Sequence, residues 1–184
     1  MNWDVTMPGL IGYFAAMLYN QNNVAVESSP VTTKLEMDVG NDLCRMLGYK
    51  VPEEGDDATL APWGHITADG SIANLEALWA ARNLKYFPVA LRAAIANEPV
   101  LAPARSLEVR LLSGESARLI DLDLWTLLNL RADDILELTE RMTRAPFDIP
   151  RETTTEALKA YSLQSLGFTE FYRRLMGGVQ APPV

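Results

Sequence analysis

Hydrophobic residues recur at helical spacing from the start of the chain. Leu10, Phe14, Met17 and Leu18 share one face, which predicts a helix over about 8–20. The polar run Asn20-Gln21-Asn22-Asn23 interrupts it, and 24–27 reads as a brief extended piece. Ser29-Pro30 then sets a hydroxyl at an N-cap and a proline at the first helical position. The helix it opens is expected to reach about Leu47, with Leu35, Val39, Leu43 and Met46 inward and Gly48 as its stop. Val51 to Thr59 follows as a loop whose acids, Glu53, Glu54, Asp56 and Asp57, suit water.

Trp63 to Thr67 reads as a short strand, with a small-residue turn after it and a helix running to about Tyr86. Ser71 stands where an N-cap hydroxyl would lie. Ile72, Leu75, Leu78, Trp79 and Arg82 fall near one face, the expected core stripe, and Pro88 ends or restarts the helix. Residues 97–103 form a connector, 107–111 a strand, and Ser113-Gly114-Glu115-Ser116 a turn. Helices are expected over about 123–129, 132–143, 151–161 and 163–176, before an unstructured Gly- and Pro-containing tail. Asp133 and Asp134 suit a helix first turn and Arg173-Arg174 a helix last turn. Strand–turn–helix units with flanking helices make the fold class α/β.

Composition narrows this picture without supplying chemistry. With 184 residues, 48% of them hydrophobic, the chain suffices for one globular domain. A net charge of −8 argues against a nucleic-acid backbone or an anionic membrane as main partner. The apolar run from Met7 to Tyr19 is too short to span a bilayer, and Asp4 precedes it where a signal peptide would carry basic residues. A soluble cytoplasmic protein is expected. The single cysteine, Cys44, excludes an internal disulfide and reads as a small buried helix residue. One histidine, His65, gives no support for a metal centre or a Cys–His nucleophile, and it reads as a packed, hydrogen-bonded residue.

The sharpest chemical signal is Ala68-Asp69-Gly70-Ser71 at a helix start. Such a turn points backbone N–H groups at an anion, and the helix dipole adds partial positive charge. The same sequence also suits an ordinary helix cap, and from this turn alone both readings stand.

Three segments taken together carry a resemblance. The run from Asn22 through Ser28-Ser29-Pro30-Val31-Thr32-Thr33-Lys34-Leu35-Glu36 resembles the "SSPxxTxLE" signature of pyridoxal-phosphate-dependent group II amino-acid decarboxylases. GHITADGSIANLEALWAAR, from Gly64 to Arg82, resembles the phosphate-turn segment of that family, and Met1 to Leu10 resembles the approach to its first large-domain helices. Trp125-Thr126-Leu127-Leu128-Asn129-Leu130 is similar to the bacterial tyrosine decarboxylase branch.

The resemblance implies part of the large domain of the type I, aspartate aminotransferase-like fold, with residues 1–184 as a single partial domain. It implies pyridoxal 5'-phosphate as cofactor, with Gly70 and Ser71 on its phosphate and Asp69 and Asn74 flanking. A carboxylate facing a phosphate is repulsive, so Asp69 is expected to turn away or cap the helix. Asn22, Asn23, Val24, Ser29 and Pro30 are implied in the substrate pocket, partly across a dimer interface. Ile72 and Lys34 depart from the acidic residues commoner in the family at their positions.

The family also needs a lysine after a histidine, a histidine stacked on the cofactor ring and an aspartate for its nitrogen. Lys34, Lys50, Lys85 and Lys159 do not follow histidine, and His65 aligns with an apolar strand position. The expectation is therefore an N-terminal portion of a decarboxylase for tyrosine or a related aromatic amino acid, inactive alone. The alternatives are one half of a split enzyme completed by a second chain and a non-catalytic dimerisation module. An amino-acid substrate and a homodimer or complementary chain are the implied partners.

Overall fold

The computed structural model describes residues 5–53 and 61–177. Met1 to Asp4, the acids Glu54, Asp56 and Asp57, and the tail from Gly178 lie outside the described residues. The chain divides into two compact units, Met1–Ala68 and Asp69–Val184.

In the first unit, α1 spans Met7–Tyr19. The Thr6 hydroxyl accepts from the Gly9 N–H at its start, and Asn20 ends it in the left-handed conformation at φ 44°. Helix α2 spans Pro30–Met46, with Ser29 at the N-cap, and Gly48 follows its end at φ 85°. Residues 23–28 form turns, where an extended piece was expected over 24–27.

The inward faces expected for these helices are not buried. Leu10, Phe14, Met17 and Leu18 of α1 and Leu35, Val39, Leu43 and Met46 of α2 are exposed. The buried positions of α2 are instead Gly40 and Cys44. Their small size lets the Trp63–Thr67 segment approach backbone to backbone: a Cβ placed on Gly40 would lie 2.2 Å from the Gly64 carbonyl oxygen. That segment is irregular rather than a strand. A strand needs a ladder partner, and among the described residues the one ladder lies in the other unit.

The second unit is built on α3, Gly70–Asn97. It runs through Pro88, which was expected to end or restart it. Proline costs one helical hydrogen bond, but here it begins a buried stretch, with Val89, Leu91, Ala94 and Ile95 deep in the core. Burial of those side chains, about 1.5–3 kcal/mol for each large one, outweighs the lost bond. The expected stripe at the N-terminal end behaves oppositely, for Ile72, Leu75, Leu78, Trp79 and Arg82 are exposed.

The connector becomes a 3-10 segment, Pro99–Ser106. Strands β1 (Glu108–Arg110) and β2 (Ser116–Arg118) pair antiparallel, with Val109 opposite Ala117, across a turn containing Gly114 at φ 89°. Helices α4 (Leu124–Leu128), α5 (Ala132–Thr143), α6 (Arg151–Lys159) and α7 (Leu163–Leu175) complete the unit. Leu101, Leu107, Leu119, Leu127, Leu138, Met142 and Phe171 pack in one cluster with the C-terminal half of α3. The chain is thus helix-rich with a two-stranded sheet, compatible with part of an α/β domain.

Asp123 caps α4 through the Thr126 N–H, and that hydrogen bond holds its carboxyl below the ordinary range. Near the end of α7, hydrogen bonds from Arg173 and then Arg174 bring the Glu170 carboxyl down to about 2 from 4.5. A depressed carboxyl stabilises the fold above its unfolded pKa, and the contribution fades as pH falls through the folded value. Glu170→Gln is therefore expected to flatten the acid side of the stability profile between about pH 4.5 and about 2. Thermal denaturation against pH checks this, and identical slopes in both proteins would contradict it.

Candidate functional site

The α3 N-terminus begins with Asp69, whose backbone is extended (φ −160°, ψ 179°). Its Oδ1 accepts from the Ile72 N–H at 2.9 Å, and its carbonyl oxygen accepts from the Ala73 N–H at 3.1 Å. Asp69 is the N-cap, as expected for a carboxylate that avoids an anion, and Ser71 is not. The helix begins one residue before Ser71, placing Gly70 and Ser71 at its first two positions. Backbone N–H groups at those positions have no intrahelical acceptor. They stand at the positive end of a 28-residue helix dipole.

Gly70, Ser71 and Asn74 are all exposed. Among the described residues, nothing beyond its chain neighbours and the helix's own backbone lies within 4 Å of where a Cβ on Gly70 would stand. His65, expected to pack in a strand, lies exposed in the irregular segment before the turn. Among the described residues no group of three or more His, Cys, Asp and Glu side chains could hold a metal ion. No helix there is long and apolar enough to cross a membrane.

The second set of expected site residues belongs to the first unit. Asn22 Oδ1 accepts from the Val24 N–H at 3.1 Å, folding the loop on itself. Asn23 Nδ2 donates to Glu36 Oε2 at 2.7 Å and to the Thr32 carbonyl at 3.3 Å, and its Oδ1 accepts from Thr32 Oγ1 at 2.5 Å. Ser29 is 3% exposed, and its hydroxyl pairs with Thr32 Oγ1 instead of capping α2. Ser29 and Pro30 line a cleft of about 630 Å³ together with Gly12, Ala16, Tyr19 and Thr32. Asn22, Asn23 and Val24 do not line it, although Asn23 holds Thr32, which does. Sequence reasoning missed Thr32 and Glu36 as partners of the loop. Their spacing of four puts both on one helix face, but carries no signal that the loop returns to that face.

No family model matches the chain. It is similar to the L-tyrosine decarboxylase of Levilactobacillus brevis, with 37% identity over 167 residues, 91% of this chain and 21% of that protein. The L-tyrosine decarboxylase of Enterococcus faecalis is 36% identical over 165 residues, covering 90% of this chain and 20% of that protein. That of Enterococcus faecium is 35% identical over 167 residues, covering 91% and 22%. The chain spans about a fifth of the length of these curated relatives. Along nine tenths of its residues, then, this chain is homologous to the tyrosine-decarboxylase branch of the group II decarboxylases that its motifs resemble.

Proposed function

We propose that this chain contributes the phosphate-holding turn, and part of the substrate-facing wall, of a pyridoxal-phosphate-dependent decarboxylase for tyrosine or a related aromatic amino acid. The observation that carries this reading is Gly70. It sits in ordinary helical backbone with open space where a Cβ would be, so neither conformation nor packing among the described residues calls for glycine. A ligand drawn against the first amides of the helix does call for it.

The residues present fit a phosphate in their donors: the N–H groups of Gly70 and Ser71 and the Ser71 hydroxyl would hold it. Asp69 spends its carboxylate on Ile72, which limits its repulsion of the anion. Asn74, one turn further on, would flank the group. When bound, the cofactor supplies the electron-accepting ring that takes up the charge left by loss of carbon dioxide. The loop from Asn22 to Val24, with Ser29 and Pro30, would face the amino acid, beside a cleft in the size range of small-molecule sites. The lysine, ring-stacking histidine and aspartate of the reaction would come from other residues of a longer polypeptide or from a complementary chain. The chain alone would bind phosphate without decarboxylating.

Amide resonances report this directly. Gly70 and Ser71 are expected to shift on titration with pyridoxal phosphate or inorganic phosphate and to stay unmoved with pyridoxal. Ser71→Ala is expected to weaken binding about tenfold, the size of one hydrogen bond to a charged group. Unmoved Gly70 and Ser71 resonances at millimolar pyridoxal phosphate would contradict the reading. Carbon dioxide released from tyrosine by the chain alone would overturn its incompleteness.

A second reading, a dimerisation module without chemistry, is favoured by α1. None of its residues is buried, and Ile11, Phe14, Met17 and Leu18 are exposed. It calls for a stable dimer without cofactor, which light scattering would show or exclude.

A further inference from the structure

We infer that Asn23, Thr32 and Glu36 form a latch that fixes the 22–30 loop on the first turns of α2, making all three positioning residues for the cleft beside it. The inference rests on the reading of that loop as substrate-facing. Thr32 and Glu36 lie four residues apart on one face of α2, and the Asn23 carboxamide engages both at once. Its two amide hydrogens go to the Glu36 carboxylate and the Thr32 carbonyl, while its oxygen accepts the Thr32 hydroxyl. Both hydrogens are thereby spent, so Asn23 has no donor left for a ligand. The residue expected to touch substrate instead holds the segment that would.

The chain of hydroxyls has one direction. Thr32 Oγ1 gives its hydrogen to Asn23, so the Ser29 hydroxyl, buried beside it, donates to Thr32. Ser29 occupies the N-cap of α2 yet makes no side-chain capping bond. A serine there ordinarily bonds the second or third helical N–H. Its diversion into the latch shows which arrangement the local energetics favour, and the charge-assisted bond to Glu36 is its strongest member. The backbone bonds described inside the loop, Ser28 N–H to Ala25 and Ser29 N–H to Val26, tie it only to itself. Thr32, Ser29 and Pro30 line the cleft, so the latch sets the position of one of its walls.

Residue-resolved hydrogen exchange at Val24, Ser28 and Ser29 in the intact chain tests the latch without any ligand. Asn23→Asp keeps the shape but loses both donors and faces Glu36 with a like charge, so exchange is expected to rise about tenfold or more. Glu36→Gln retains a neutral acceptor, so its exchange should rise far less than that of Asn23→Asp. The double variant, Asn23→Asp with Glu36→Gln, exchanges donor for acceptor and should recover most of the protection. Lys34→Ala, at an exposed position of the same helix, should change nothing. Exchange unaltered by Asn23→Asp, or a double variant no better protected than Asn23→Asp, would overturn the latch. Adding L-tyrosine with pyridoxal phosphate tests the reading beneath it. Slowed exchange in wild type that is lost in Asn23→Asp supports the positioning role. An intact latch whose amides ignore both ligands would overturn the substrate-facing reading instead.

Discussion

Phe171→Ala is expected to destabilise the Asp69–Val184 unit by about 3–5 kcal/mol, the cost of emptying a large aromatic site in a packed core. Phe171 is fully buried on α7 and packs in the cluster built on the C-terminal half of α3. Its ring meets Tyr86 of α3 edge-on, with centroids 5.6 Å apart and planes at 79°. Such pairs add about 0.5–1.5 kcal/mol to area burial alone. Phe171→Leu, which refills most of the volume, should cost much less. Denaturant unfolding with Trp fluorescence checks both, and a loss below about 1 kcal/mol for Phe171→Ala would mean that the site collapses freely.

Periodicity served the second unit well because its helices bury their apolar faces against neighbours in the same unit. The expected bounds for α5 match those observed, and those for α4, α6 and α7 fall within two residues. It served α1, α2 and the start of α3 less well, for a physical reason. Spacing reveals that Leu35, Val39 and Leu43 share a face, but not whether anything covers that face. On α2 the buried positions are Gly40 and Cys44, chosen by size rather than hydrophobicity. Pro88 misled because a local rule about helix interiors met a stronger tertiary term, the burial of Val89 and Leu91.

The candidate site shows the same division. Asp69 as a cap followed from electrostatics within four residues of chain, and the structure has it. The Asn23–Thr32–Glu36 network depends on how a loop returns to a helix, which neither residue type nor spacing specifies. The helix start lies two residues before the one a Ser71 cap would set: either Asp69 or Ser71 satisfies the N-cap preference, and Asp69 takes the cap in the folded chain.

Gly40→Ala is expected to reverse the usual sign of a glycine-to-alanine change in a helix. In an open helix interior that substitution stabilises by about 0.5–1 kcal/mol, because glycine loses the most backbone freedom on folding. At Gly40 the added Cβ would stand 2.2 Å from the Gly64 carbonyl oxygen and 2.9 Å from its carbon. Both are backbone atoms, so no rotamer change relieves the overlap, and the whole segment or the helix must shift. Overpacking of this kind costs about 1–3 kcal/mol. The reciprocal position is tight too, since a Cβ on Gly64 would meet the Gly40 oxygen at 3.1 Å and Cys44 Sγ at 3.3 Å. Cys44 is buried beside this contact and gives a direct readout. Displacing Gly64 should uncover its thiol and speed labelling by a thiol reagent, alongside a lower melting temperature. Gly12→Ala on α1, where an added Cβ has nothing within 4 Å, is the control and should stabilise. If Gly40→Ala melts no lower than Gly12→Ala and Cys44 labels no faster, the close backbone approach is not what holds this segment.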